Sequence, residues 1–219
     1  MSARQDGQRG VHDAVSPGAR TWLHGETLDS LTELNEQCLE LLAEHARQAQ
    51  AGGQPLLLEL RELWVALDVA ARQRAAVCPY LIVDAGFGDP RNWAWPGHSI
   101  HEAPAPAAAP FFSGARATMV LRLALTYGWH LARSRPSAAR LLLGMSPVCA
   151  ERISACTLRQ IGTLAEQHLH WLQPRWPGRL AVWRELLVTA LAGDGPALER
   201  ARMRGLQLLA AEARAAQGA

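Results

Sequence analysis

Carboxylates, imidazoles and glycines gather in this chain at Asp84-Ala85-Gly86-Phe87-Gly88-Asp89, followed by His98 and His101. Such a set could ligate a metal or pass a proton between two carboxyl groups. No His-x-x-x-His or Glu-x-x-His pair anchors any member to a rigid element, and neither Gly-x-Gly-x-x-Gly nor Gly-Lys-Ser/Thr occurs. The run therefore reads as turn-capping aspartates with exposed histidines. Cys149, Cys156, His168 and His170 offer zinc-type donors, but six residues separate the cysteines, and the two histidines leave a helix on different sides. Ser146 and Ser154 have no base placed by sequence, and there is no Gly-x-Ser-x-Gly elbow. The expectation is a non-enzyme with no catalytic residue, metal, cofactor or small-molecule substrate.

What remains is recognition chemistry. All 22 basic residues are arginine, a bias that accompanies heavy alanine and leucine use and reads as GC-rich coding rather than a selection for forked hydrogen bonding. Net charge is only +2 but is unevenly divided: residues 130 to 219 hold 12 arginines and 6 acids, residues 1 to 129 hold 10 and 14. An excess of this kind suits nucleic acid or an acidic partner, and equally suits attraction between the two halves in the fold or in a dimer. Trp171, Arg175, Trp176 and Arg179, in a Trp-Pro turn near Trp183 and Arg184, are the residue types that dominate protein interfaces, or else core. They are the candidate partner-binding set.

Among the helices that would carry these groups, Leu143 to Glu166 shows two helix starts eleven positions apart, the layout of a helix-turn-helix. Ser146-Pro147 is a hydroxyl N-cap with proline at the first helical position. Thr157 and Gln160 form a capping box. The spacing predicts helices over about Pro147 to Ala155 and Leu158 to His170, with Leu143, Ile153, Leu158, Ile161, Leu164, Ala165, His168 and Leu169 mostly on facing sides. A recognition helix needs basic or amide side chains near its start. Arg159, with Arg140 and Arg152 from neighbouring helices, is the candidate nucleic-acid-binding set, and Gln167 and His170 lie further along. A strong specific binder neutralises roughly six to ten phosphates, so this segment would need help.

The same stretch resembles the central segment of the FlhD family, subunits of a bacterial flagellar transcription activator. The resemblance rests on Leu143, Gly144, Ala150, Thr157, Leu158, Gln160, Leu164, Ala165 and Glu166, with Met145 and Ile161 as conservative exchanges. It implies a helical regulator that works with a zinc-carrying partner, FlhC, which supplies much of the DNA contact. It covers about a tenth of the chain, and the paired cysteines of that partner are lacking here.

The rest of the chain predicts an all-α, multi-helix bundle with a long Gly/Pro/Trp-rich loop in the middle. Residues 1 to 19 read as a flexible leader. Residues 20 to 83 read as a helical hairpin. Its first helix, about Leu28 to Arg47, has Leu28, Leu31, Leu34, Cys38, Leu41, Leu42 and His45 on one face and Glu33, Glu36, Glu40 and Glu44 on the other. Its second, about Leu56 to Val77, aligns Leu57, Leu60, Trp64, Leu67, Ala71 and Ala75. Tyr80 to Val83 suits a short strand or one helical turn. Residues 84 to 112 read as loop or linker. Residues 113 to 219 read as a C-terminal helical region, with helices from Ser113 or Gly114 to Ala132, from Pro136 to Gly144, then Leu180 to Ala192 and Pro196 to Ala213.

With 49% apolar residues the chain can bury a core. No run reaches the 18 or so apolar residues that span a bilayer; the best, Ala117 to Leu125, is broken by Arg122. Cys38, Cys78, Cys149 and Cys156 are scattered on apolar faces and read as buried thiols, which suits a cytoplasmic location. The functional expectation is a transcription-regulator subunit that works as an oligomer or with a protein partner on DNA. The alternative is a non-enzymatic adaptor, such as an accessory subunit of a bacterial secretion or motility apparatus.

Overall fold

A computed structural model describes residues 25–93 and 109–215. The expected leader, His98, His101 and most of the Ala103–Pro110 run lie outside the described residues. The described chain is mostly helical, with one two-stranded sheet. In order come α1 (Gly25–Gln48), α2 (Pro55–Leu58), α3 (Arg61–Ala66), α4 (Val69–Ala76), β1 (Val83–Ala85), α5 (Ala115–Ser134), α6 (Pro136–Leu143), α7 (Pro147–Ala155), α8 (Leu158–Gln167), β2 (Leu172–Pro174), α9 (Leu180–Ala192) and α10 (Gly195–Ala215). Single 3-10 turns at Pro90–Trp93 and Leu169–Trp171 complete it.

The second helix of the predicted hairpin is not continuous. It breaks into α2, α3 and α4, although Leu57, Leu60, Trp64, Leu67, Ala71 and Ala75 are all buried as their spacing implied. Two local bonds end the helix early. The Trp64 indole donates to the Leu56 carbonyl at 3.0 Å, occupying the acceptor that a continuing helix would use. Asp68 accepts from the Ala71 amide at 2.7 Å and so starts α4 afresh.

One contiguous core runs from Leu31 of α1 to Leu209 of α10. Asn35, fully buried on α1, organises its middle. Its amide nitrogen donates to the carbonyls of Ala76 (3.1 Å) and Tyr80 (2.9 Å), and its oxygen accepts from the Ile82 amide at 3.0 Å. A buried amide satisfied in this way fixes the bent, non-helical segment 78–82 against α1. That segment leads into β1, which pairs antiparallel with β2, Asp84 opposite Gln173. Phe87, Trp93 and Phe112, on either side of the undescribed residues, are fully buried in the same core. All four cysteines are free and buried.

α5 is the central post of the C-terminal half, with α1, α6, α7 and α8 packed around it. Tyr127 donates to the Thr27 carbonyl of α1 at 2.8 Å, and Arg116 pairs with Glu40 and Glu44. No helix of the described residues is long and apolar enough to cross a membrane.

Candidate nucleic-acid interface

The predicted helix starts form as the caps require. Ser146 Oγ accepts from the Cys149 amide at 3.1 Å with Pro147 at the first helical position. In the capping box, Thr157 Oγ1 accepts from the Gln160 amide at 3.3 Å, and Gln160 Oε1 accepts from the Thr157 amide at 2.8 Å. α7 and α8 are thus joined through Cys156 and Thr157 alone. The Trp129 indole donates to the Cys156 carbonyl at 2.8 Å, pinning the turn to α5. α8 lays Ile161, Leu164 and Ala165 on α5, and Arg122 of α5 bonds Glu166 at 2.6 Å.

α8 is shorter than the expected Leu158–His170. It stops at Gln167 because His168 leaves helical geometry and stacks on Trp171, ring centroids 4.3 Å apart and 12° from parallel. Burial of His168 leaves both ring nitrogens without a hydrogen-bond partner and lowers its pKa to about 4, His170 adding to the effect. Leu158, expected on a facing side, is 58% exposed at the first turn of α8.

Among the candidate nucleic-acid residues, Arg140 and Arg159 are exposed and make no ion pair or side-chain hydrogen bond with the described residues, whereas Arg152 is half-buried and engaged. The outward face of α8 adds Thr163 and Gln167, with Glu166 opposing. The structure places Arg140, Arg152 and Arg159 on three successive helices, α6, α7 and α8.

Part of the arginine excess is spent on bonds within the fold. Arg133 lies 4.9 Å over the Trp129 ring, Arg135 reaches Thr27, Arg202 bonds Glu199 and the Arg74 carbonyl, and Arg204 pairs with Glu185. Besides Arg140 and Arg159, the arginines after residue 129 without such a bond among the described residues are Arg179, Arg184 and Arg200, which belong to α9, its N-cap and α10. The basic excess is therefore dispersed rather than gathered on the α7–α8 pair.

The candidate partner set does not present itself as one surface. Trp171 is buried between Trp93, at 5.2 Å, and His168. Arg175 is 6% exposed and works as a clamp that the sequence did not reveal. Its Nε donates to the Leu81 carbonyl at 2.7 Å, Nη2 donates to the Leu143 carbonyl at the end of α6, and its own amide bonds the Ile82 carbonyl. A guanidinium is suited to this because its donors sit in a rigid fork. Trp176, half-buried with a φ of 52°, packs on Tyr80 and donates to Glu212 at 2.6 Å. Of the four, Arg179 alone is exposed.

The Asp84–Asp89 loop borders an open groove of about 330 Å³ with Gln173, Trp176 and Glu212. Its carboxylates are already engaged. Asp84 accepts from the Phe87 amide at 3.0 Å, and Arg91 holds Asp89 in a forked pair that keeps its carboxyl below the usual carboxylate range. Among the described residues, no three His, Cys, Asp or Glu side chains are placed to hold a metal ion. Burial raises the Cys149 thiol well above its usual range and pushes the Cys78 thiol up to about 12. Asn35 carries no signal in the sequence, and His168 and Arg175 stand out there for a helical face, a zinc-type donor set and a partner surface rather than for the buried roles they take; each is a polar residue buried by tertiary contacts.

No family model, curated protein or solved structure matches this chain.

Proposed function

We propose that this protein is a helical transcription-regulator subunit, FlhD-like over Leu143 to Glu166, that reaches DNA together with a partner. The supporting observation is the α7–α8 pair itself. Two short capped helices are joined by a two-residue turn and braced on α5, with Arg159 exposed at the start of the second and Arg140 at the end of α6. That is the arrangement a recognition helix needs. Two free arginines fall well short of the roughly six to ten phosphate contacts of a strong binder, so the partner or a second copy supplies the rest.

The experiment is a fluorescence-polarisation titration of the full chain against a random-sequence duplex at about 50 and 200 mM salt, where counterion release makes phosphate contacts visible. Weak binding that falls with salt, and is lost in Arg140→Glu/Arg159→Glu while the circular dichroism melt stays in place, is the expected result. A second reading, a protein-only adaptor, is favoured by the dispersal of the arginines among acids and aromatic rings. Absence of binding at low salt, alone and with candidate partners, would put the adaptor first.

A further inference from the structure

The central helix α5 has one row that no other described element covers. At about 100° per residue, Tyr127 and Arg116 mark its α1 flank, Trp129 and Arg122 its α7–α8 flank, and Ala115, Met119, Leu123, Thr126, His130 and Arg133 lie between, Arg133 on the Trp129 side. Met119 is 50% and Leu123 40% exposed, one turn apart on the helix that otherwise anchors the C-terminal half. Ion pairs edge the row on both sides, Arg116 with Glu40 and Glu44, and Arg122 with Glu166. On the α1 side, Glu33 and Glu36 make no ion pair among the described residues.

We infer that this row of α5 is a self-association face, packing Met119 and Leu123 of one copy on Met119 and Leu123 of a second, with Arg122 of each copy against Glu33 and Glu36 of the other. Charge selects both the occupant and the orientation. α1 runs antiparallel to α5, since Thr27 lies by Tyr127 and Arg135 while Glu40 and Glu44 lie by Arg116. Glu33 and Glu36 are therefore level with Arg122. A two-fold axis parallel to α5 lays the acidic α1 side of one copy over the Arg122 side of the other. An axis across α5 would set α1 against α1 and oppose like carboxylates. The apolar row supplies the water-excluding centre and the Arg122–glutamate pairs the rim, the usual division within an interface. The inference is independent of any DNA contact, because its readout is mass alone.

The test is sedimentation or light scattering on the full chain across micromolar concentrations. The wild type should reach twice the 23.8 kDa chain mass. Met119→Glu/Leu123→Glu should give the mass of one chain, with at least a tenfold loss of association (about 1.4 kcal/mol) and an unchanged circular dichroism spectrum. Arg122→Glu should weaken association, and Arg122→Glu with Glu33→Arg and Glu36→Arg should recover it. As a check that does not rest on loss, Met119→Cys should give a disulfide-linked dimer under mild oxidation. A wild type that stays at the mass of one chain, or a dimer that survives Met119→Glu/Leu123→Glu and forms no Met119→Cys cross-link, overturns the inference.

Discussion

Arg175 and Gly144 meet at the end of α6, where the guanidinium binds the Leu143 carbonyl and the glycine turns the chain with a φ of 60°. A Cβ on Gly144 would stand 2.6 Å from Leu209 Cδ1 and 3.2 Å from Arg175 Nη2. The α6–α7 corner, on which the helix pair depends, is thus held by a residue from beyond β2.

Arg175→Met should cost about 2 to 4 kcal/mol, since it leaves the Leu81 and Leu143 carbonyls buried without donors. Urea denaturation followed by tryptophan fluorescence measures this. A loss under about half a kcal/mol would mean the carbonyls find other donors and the clamp is dispensable.

Gly144→Ala should be destabilising by about 1 to 3 kcal/mol, combining left-handed backbone with the contact on Leu209. Gly162→Ala makes the comparison. Gly162 sits inside α8, and a methyl group added there would meet nothing within 4 Å, so alanine should stabilise by about 0.5 to 1 kcal/mol. Melting temperatures that move in the same direction would contradict the contrast.

His168 makes stability depend on pH. Its folded pKa of about 4 lies below the 6.5 of a free imidazole, so the unfolded chain binds the proton more readily. The stabilisation is complete above about pH 6.5 and is lost as pH falls towards 4, with a slope of at most about 1.4 kcal/mol per unit. His168→Phe keeps a ring on Trp171 and should flatten that part of the stability profile. An unchanged slope would place the titrating group elsewhere.

Thr157→Ala removes one half of the capping box and should cost about 1 kcal/mol, with Thr157→Ser nearly neutral. Chemical denaturation of the two variants measures the difference, and equal losses would show that the methyl group rather than the hydroxyl matters.

The four thiols are buried, and burial raises each. A thiol-reactive disulfide reagent should label the native chain slowly and all four cysteines quickly in denaturant, because the thiolate is the reactive form. Fast labelling of native protein would show that one of them is accessible.

Local chemistry was legible from the residues in order. The N-caps at Ser146 and Thr157, proline at the starts of α6 and α7, and the apolar periodicity of α1 depend on neighbours within four positions, so the sequence alone determined where α6, α7 and α8 begin and that the fold is helical, while α1 begins at Gly25 rather than near Leu28. Burial of Leu57, Leu60, Trp64, Leu67, Ala71 and Ala75 was legible too. The breaks among them were not, because the Trp64 indole and the Asp68 carboxylate compete with the backbone only once the core fixes their rotamers. Tertiary structure alone decided what the arginines do. Arg175 reads like any surface cation in a Trp-Pro turn until Leu81, ahead of β1, and Leu143, at the end of α6, arrive from 94 and 32 residues away to surround it. The basic excess looked like one surface and was divided between bonds within the fold and exposed arginines scattered over α6, α8, α9 and α10, since a charge count carries no direction and only packing assigns a guanidinium its partner.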